Sequence, residues 1–164
     1  MRLRLTDASA TRDLGRALAG ILAPGDLVIL VGGLGAGKTT LAQGIGAGLG
    51  VAGTVASPTF IIARTHKPAV GRPGLIHVDA YRLGSLAELD DLDLEESVDD
   101  AVTVVEWGAG IAEVLAESHL LVELERERGG AMEDAEAGAR TATLTGVGPR
   151  WRGVDLEHLA SALA

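Results

Sequence analysis

Leu27-Val28-Ile29-Leu30-Val31-Gly32-Gly33-Leu34-Gly35-Ala36-Gly37-Lys38-Thr39-Thr40 opens as an apolar block and closes as G-x-x-x-x-G-K-[ST]. The five apolar residues read as a buried parallel strand, and the chain from Thr39 onward reads as a helix over 39–49. Strand, glycine loop and helix, in that order, form the context in which this motif cradles phosphate. Each residue type in it has a physical task. Gly32, Gly35 and Gly37 let successive N–H groups converge on phosphate oxygens. Lys38 brings a compact positive charge to β- and γ-phosphates, and the Thr39 hydroxyl is a ligand for Mg²⁺. The helix that follows aims its positive dipole end at the same anion. Glycine is abundant, 23 residues of 164, which favours chance matches, but abundance does not place Lys-Thr correctly after a strand.

At 164 residues the length suits one domain, expected to span 1–164. Apolar residues make up 47% and charged ones 23%, a globular balance. The chain has no cysteine, which excludes disulfides and thiolate metal sites. No apolar stretch is long enough for a membrane span, and Met1-Arg2-Leu3-Arg4-Leu5 alternates like a strand, unlike a signal segment. The expected compartment is the cytoplasm, with no membrane partner. A formal charge of −9 repels phosphate backbones and argues against tight autonomous binding of nucleic acid. The absence of Asn and the excess of twelve Arg over two Lys read as a codon bias, without folding logic.

Outward from the loop, residues 2–6 suit an edge strand, and Thr6 or Asp7 can cap a helix over 8–22. Pro24-Gly25-Asp26 turns the chain into the loop strand. Gly44, Gly46 and Gly48 fall inside the helix over 39–49, each costing up to about 1 kcal/mol relative to Ala, so packing must hold that helix. Strands are expected over 59–65 and 75–79 around a hairpin-type loop, then an acidic helix over 85–100 and a buried strand over 101–106. A short helix over 111–118 precedes an antiparallel pair, 119–125 and 140–145, flanking the loop 126–139. A helix over 154–163 closes the chain. The fold class is α/β: a P-loop NTPase-like, mixed and mostly parallel sheet flanked by helices, with a C-terminal antiparallel strand pair.

A phosphate loop needs carboxylates for the metal and for water. Leu75-Ile76-His77-Val78-Asp79 ends one apolar strand in an acid, and Val102-Thr103-Val104-Val105-Glu106 ends another. Acids at the carboxyl ends of strands sit where open α/β sheets bind ligands, and two of them can hold Mg²⁺ and orient water. Each alone could equally be a solvent-facing strand end. Phe60, Tyr81 and Trp107, three of the four aromatics, fall beside Thr59, Asp79 and Glu106, where core packing competes with a site role. Thr59 follows the helix after the loop, at the place of a γ-phosphate-sensing switch. His66, His77, His119 and His158 show no ligand spacing and read as structural or exposed. The acidic run over 88–100 is a solvated face or, as a minority reading, a docking surface.

Gly35-Ala36-Gly37-Lys38-Thr39-Thr40, Ser57-Pro58-Thr59-Phe60, His77-Val78-Asp79-Ala80-Tyr81-Arg82-Leu83 and Val105-Glu106-Trp107, in this order and spacing, resemble the TsaE (YjeE) family across essentially the whole chain. The resemblance implies a small bacterial P-loop ATPase needed for N6-threonylcarbamoyladenosine at position 37 of tRNAs that read codons beginning with A. It implies binding to a TsaB–TsaD heterodimer, which ATP hydrolysis resets, so that tRNA is met indirectly through that complex. By motif match Lys38 holds the phosphates, Thr39 and Glu106 hold Mg²⁺, Asp79 is the second-strand acid and Ser57–Thr59 the switch. Thr11 and Trp107 border the nucleotide, with Gly138 and Arg140 a weaker suggestion of the same kind. Three positions depart from the family pattern: Gly33 stands for a usual acid, Ala80 for a larger apolar residue and Gly108 for a common Pro.

The catalytic candidates are therefore Lys38, Thr59, Asp79 and Glu106. The nucleotide candidates are Thr11, Gly32, Gly35, Ala36, Gly37, Lys38, Thr39, Thr40, Asp79 and Trp107, with ATP and Mg²⁺ as cofactors. An ATPase slow by itself would lack a stabilising cation, which can be worth about 10³–10⁵ in rate; Arg82 is an internal candidate. Two alternatives stand beside it. A small P-loop kinase would need an arginine-rich lid, which is not visible here, and a nucleotide-gated adaptor would need no hydrolysis. A guanine-reading Asn-Lys-x-Asp motif cannot occur in a chain without Asn.

Overall fold

The apolar runs of the sequence form the centre of one seven-stranded sheet in the computed structural model, which describes residues 1–56, 63–68, 70–82, 99–127 and 138–161. In chain order the elements are β1 (Arg2–Leu5), α1 (Ala8–Ala19), β2 (Leu27–Gly32), α2 (Lys38–Leu49), β3 (Ala63–His66), β4 (Gly74–Asp79), β5 (Ala101–Glu106), β6 (His119–Arg126), β7 (Arg140–Val147) and α3 (His158–Ser161). The strand order is β1-β7-β6-β2-β5-β4-β3. Parallel pairing joins β6, β2, β5 and β4, while β7 runs antiparallel to β1 and β6, and β3 antiparallel to β4. The mixed, mostly parallel sheet with a C-terminal antiparallel pair is the one expected.

Every residue of β4 and β5 is buried, which is why both strands read as unbroken apolar runs. Period-two alternation then sorts them. Leu75, Val102, Val104, Val28 and Leu30 pack with Leu14, Leu18, Leu41 and Ile45 of the helices, whereas Ile76, Val78, Val105 and Ile29 pack with Ala112 on the opposite face. Parallel register brings Asp79 directly beside Glu106, and Glu106 beside Leu30 of the loop strand. The two acids thereby end neighbouring strands at the edge where the phosphate loop begins.

The glycines of α2 have a tertiary reason. A Cβ on Gly44 would lie 2.2 Å from the Arg12 carbonyl oxygen, and one on Gly48 2.5 Å from the Ala19 Cβ. Gly15 on α1 answers from the other side, where a Cβ would meet the Leu41 carbonyl oxygen at 2.5 Å. The two helices touch backbone to backbone, and the propensity penalty of each glycine is offset by that approach.

Element ends differ from expectation in places. Helix α1 is capped by Asp7, whose Oδ1 accepts the Ala10 N–H at 2.8 Å, and it stops at Ala19 before 22. Gly20, Ile21 and Leu22 continue only as turns toward Pro24. The helix expected over 111–118 is a single 3₁₀ turn, Ala112–Leu115, because Ala116 is already extended toward β6. The helix expected from 154 starts at His158. Gly153 is left-handed (φ 81), and the Asp155 carboxylate caps Glu157 and His158. The strand expected over 59–65 is seen as Ala63–His66, with 59–62 outside the described residues, as is nearly all of the acidic segment 85–100. Among the described residues no helix is long and apolar enough to cross a membrane.

Candidate active site

Between β2 and α2 the chain makes the expected loop. Gly35 (φ 74) and Gly37 (φ 106) occupy left-handed backbone that other residues rarely adopt, and Gly37 opens α2 as its cap. A Cβ at Gly37 would also approach the Arg140 Nε at 3.1 Å and the Thr11 methyl at 3.6 Å. The loop is therefore backed by α1 and by the first residue of β7.

Lys38 is buried, and its Nζ donates to the carbonyls of Gly32 (2.8 Å) and Gly33 (2.9 Å). The ammonium stands 3.7 Å from the centre of the Trp107 ring, a cation–π contact. Burial holds it below the ordinary lysine range, opposed by the charges of Glu106 and Asp79. Trp107 itself has left-handed backbone (φ 62), unusual for a large side chain, and its N–H donates to the Leu30 carbonyl. That bond prolongs the β5–β2 ladder by one residue and turns the indole over the loop.

The Thr39 hydroxyl donates to the Glu106 carboxylate, 2.9 Å from Oε1 and 3.1 Å from Oε2. Asp79 Oδ1 accepts the N–H of Tyr81, and the Tyr81 ring lies 5.2 Å from that of Trp107. Lys38, Thr39, Asp79, Glu106, Tyr81, Trp107 and Arg140 all face one cleft of about 520 Å³, together with Leu34, Gly35, Gly37 and Thr40. Its size suits a small-molecule ligand.

The other candidates lie around it. Gly32 and Ala36 support the loop, Ala36 in the core and Gly32 where a Cβ would strike the Leu124 carbonyl at 2.3 Å. Thr11 is fully buried behind Gly37, and its hydroxyl donates to the Asp7 carbonyl at 3.0 Å. Arg140 is buried, and its Nη1 donates to the Gly138 carbonyl. Burial, with Arg126 and Arg12 nearby, holds its guanidinium below the ordinary arginine range, and Asp7 opposes. Arg82 ends the 3₁₀ turn Ala80–Arg82. Ser57, Pro58, Thr59 and Phe60 lie outside the described residues.

One contact was not anticipated. His77 is wholly buried, with Nε2 2.8 Å from Glu106 Oε1. Strand periodicity carried a signal for it: His77 stands two residues before Asp79 and so shares its face of β4.

The donor set suits Mg²⁺. One hydroxyl and one carboxylate converge on the cleft, with a second acid alongside, and all are oxygen ligands. Among the described residues no group of three His, Asp or Glu could cage an ion unaided.

Comparison with known proteins yields one family. The family model described as "Threonylcarbamoyl adenosine biosynthesis protein TsaE" matches residues 5–133. The tRNA threonylcarbamoyladenosine biosynthesis protein TsaE of Streptomyces coelicolor is 53% identical over 150 residues, covering 91% of this chain and 99% of its own. The protein of the same name from Bacillus subtilis is 35% identical over 152 residues, covering 92% and 89%. Among solved structures, the crystal structure of Bacillus subtilis YdiB superposes with a TM-score of 0.70 at 31% identity, over 99% of this chain and 93% of that one.

Proposed function

The chain belongs to the TsaE family, and from that premise we propose that it is a Mg²⁺-dependent ATPase of tRNA threonylcarbamoyladenosine biosynthesis. In this reading it acts in the cytoplasm on a TsaB–TsaD complex, for the modification of adenosine 37 in tRNAs that read codons beginning with A. The family accounts for the pathway. The chemistry rests on one observation, the convergence of the Lys38 ammonium, the Thr39 hydroxyl and two strand-end carboxylates on the cleft beside the glycine loop.

The residues divide the work by charge. Lys38, held by two loop carbonyls and the Trp107 face, presents a positive charge where the β- and γ-phosphates come to rest. Loop amides from Gly35 to Thr39 and the start of α2 add main-chain donors. Thr39 and Glu106 are the protein ligands for Mg²⁺, which when bound neutralises charge growing on the phosphate oxygens. Asp79, beside Glu106 in the sheet, is the acid placed to orient water. Trp107 lies against Lys38, and the exposed Tyr81 ring packs on the indole at the mouth of the cleft.

Replacing Lys38 by Ala tests the reading. Purified Lys38→Ala is expected to lose ATP hydrolysis, and cells carrying it as sole copy to lose the tRNA modification. Wild-type turnover by this variant rules the loop out as the site. A variant that binds ATP without hydrolysing it, yet restores the modification, favours the adaptor instead.

A further inference from the structure

We propose that His77 is a positioning residue that fixes the metal-binding carboxylate of Glu106 from inside the sheet; this rests on the reading of the cleft as an Mg²⁺–ATP site. The placement is the first reason. Glu106 lines the cleft, whereas His77 is fully buried in the middle of β4 and does not. The imidazole therefore meets the carboxylate from its protein side. A carboxylate only accepts, so the 2.8 Å contact is a bond from His77 Nε2–H to Oε1.

The second reason is the expense of burying an imidazole there. Its neighbours along β4 are Leu75, Ile76 and Val78, and an apolar side chain would fill the same space without a polar group to satisfy. His77 Nδ1 is buried with no hydrogen-bond partner among the described residues. Among the described residues the ring's hydrogen bond, made through Nε2, goes to Glu106. Packing alone gives no account of that choice.

The third reason is what the carboxylate needs. A glutamate side chain has three rotors, and fixing them on metal binding costs conformational entropy unless the geometry is prepared. Thr39 holds Glu106 from the α2 side and His77 from the β4 side. His77 and Thr39 both bond Oε1, and the Thr39 hydroxyl also lies 3.1 Å from Oε2, so the two partners together fix the orientation of the carboxylate. Loss of such a supporting hydrogen bond typically weakens metal binding about 10–100-fold.

Mn²⁺ can replace Mg²⁺ as an EPR-visible probe, titrated into full-length protein in the presence of ATP. His77→Leu is expected to weaken Mn²⁺ binding about 10–100-fold, while ATP binding measured in EDTA stays within about twofold of wild type. His77→Gln, whose amide N–H can reach the place of Nε2, is expected to recover most of the loss, and it keeps the test available if His77→Leu does not fold. In a Glu106→Gln background, His77→Leu is expected to add no further loss. Wild-type Mn²⁺ affinity in folded His77→Leu overturns the inference alone, as does a full additional loss in the Glu106→Gln background. Failure of the wild-type protein to bind Mn²⁺ with ATP overturns the reading of the cleft, and this inference with it.

Discussion

Replacing Gly44 by Ala sets two calculable effects against each other. Isolated helix propensity favours Ala by about 1 kcal/mol. In the fold, however, the new Cβ lies 2.2 Å from the Arg12 carbonyl oxygen and 2.9 Å from two further backbone atoms of the same residue. A comfortable carbon–oxygen contact needs roughly 1 Å more, and backbone atoms have no rotamer by which to retreat. The helices must part, loosening fully buried Leu14, Leu18, Leu41 and Ile45 between them and the sheet. A 2.2 Å backbone contact belongs at the upper end of the overpacking range, about 3 kcal/mol, so the variant is expected to be less stable by about 2 kcal/mol after the propensity gain. Gly46→Ala is the control. Its Cβ would meet the Val55 Cγ2 at 2.6 Å and the Leu75 Cδ2 at 3.2 Å, side-chain ends that can turn aside. Urea unfolding followed by circular dichroism measures both. Gly44→Ala at or above wild-type stability, or a larger loss at Gly46, refutes backbone contact as the reason for these glycines.

Further expectations follow from single contacts. Arg150 clasps Asp26 through Nε and Nη2 at 2.9 Å each and donates to the Ile21 carbonyl, with the Asp26 side chain 5% and the Arg150 side chain 34% exposed. Arg150→Ala is expected to lower unfolding stability by about 2 kcal/mol, less than for a fully buried pair; an unchanged urea midpoint refutes the clasp. In the proposed reading, phosphate bound at Lys38 would draw the ammonium from the Trp107 ring, so ATP is expected to change indole emission. Trp107→Phe, which leaves Trp151 as the sole tryptophan, should abolish that change, and its persistence refutes the contact. The Asp7 carboxylate is held below the ordinary range chiefly by the Ala10 N–H, with Thr6 assisting. A lowered carboxylate pKa gives stability that is present above its unfolded value, about 4, and is lost as pH falls through the folded value. Asp7→Asn should therefore show its largest deficit above about pH 4 and converge with wild type in acid; a gap constant with pH refutes the assignment.

What could be read from the chain divides along a physical line. The phosphate loop, β4 and β5 were legible because each is dictated locally: left-handed turns select glycine, buried parallel strands select unbroken apolar runs, and a strand-end acid interrupts such a run visibly. The boundaries of β5, Ala101–Glu106, emerged as expected for that reason. The glycines of α2 were not legible, since their cause is the backbone of α1, which spacing along α2 does not encode. The turn Ala112–Leu115 and the late start of α3 depend on where the next element must begin, again a tertiary matter. His77 was missed for a related reason. Ligand-spacing rules search for several histidines together, whereas its partner is a single glutamate on the neighbouring strand, in contact only through the β4–β5 register.

Gly33, where the family resemblance leads one to expect an acid, stands apart from that register. Gly33 is exposed, with open space where a side chain would stand, and it contributes only its carbonyl to Lys38. A carbonyl is independent of residue type, so a glycine there holds the lysine as any other residue would. The positions of Thr39, Asp79 and Glu106 are instead fixed by hydrogen-bonded neighbours in strands and helix, with Thr39 on α2 reaching across to Glu106 on β5. Substitutions at the loop's outer rim therefore act on what approaches the cleft. Substitutions in the sheet beneath it, or in the α1–α2 contact, act on the geometry of the cleft itself, even where they do not line it.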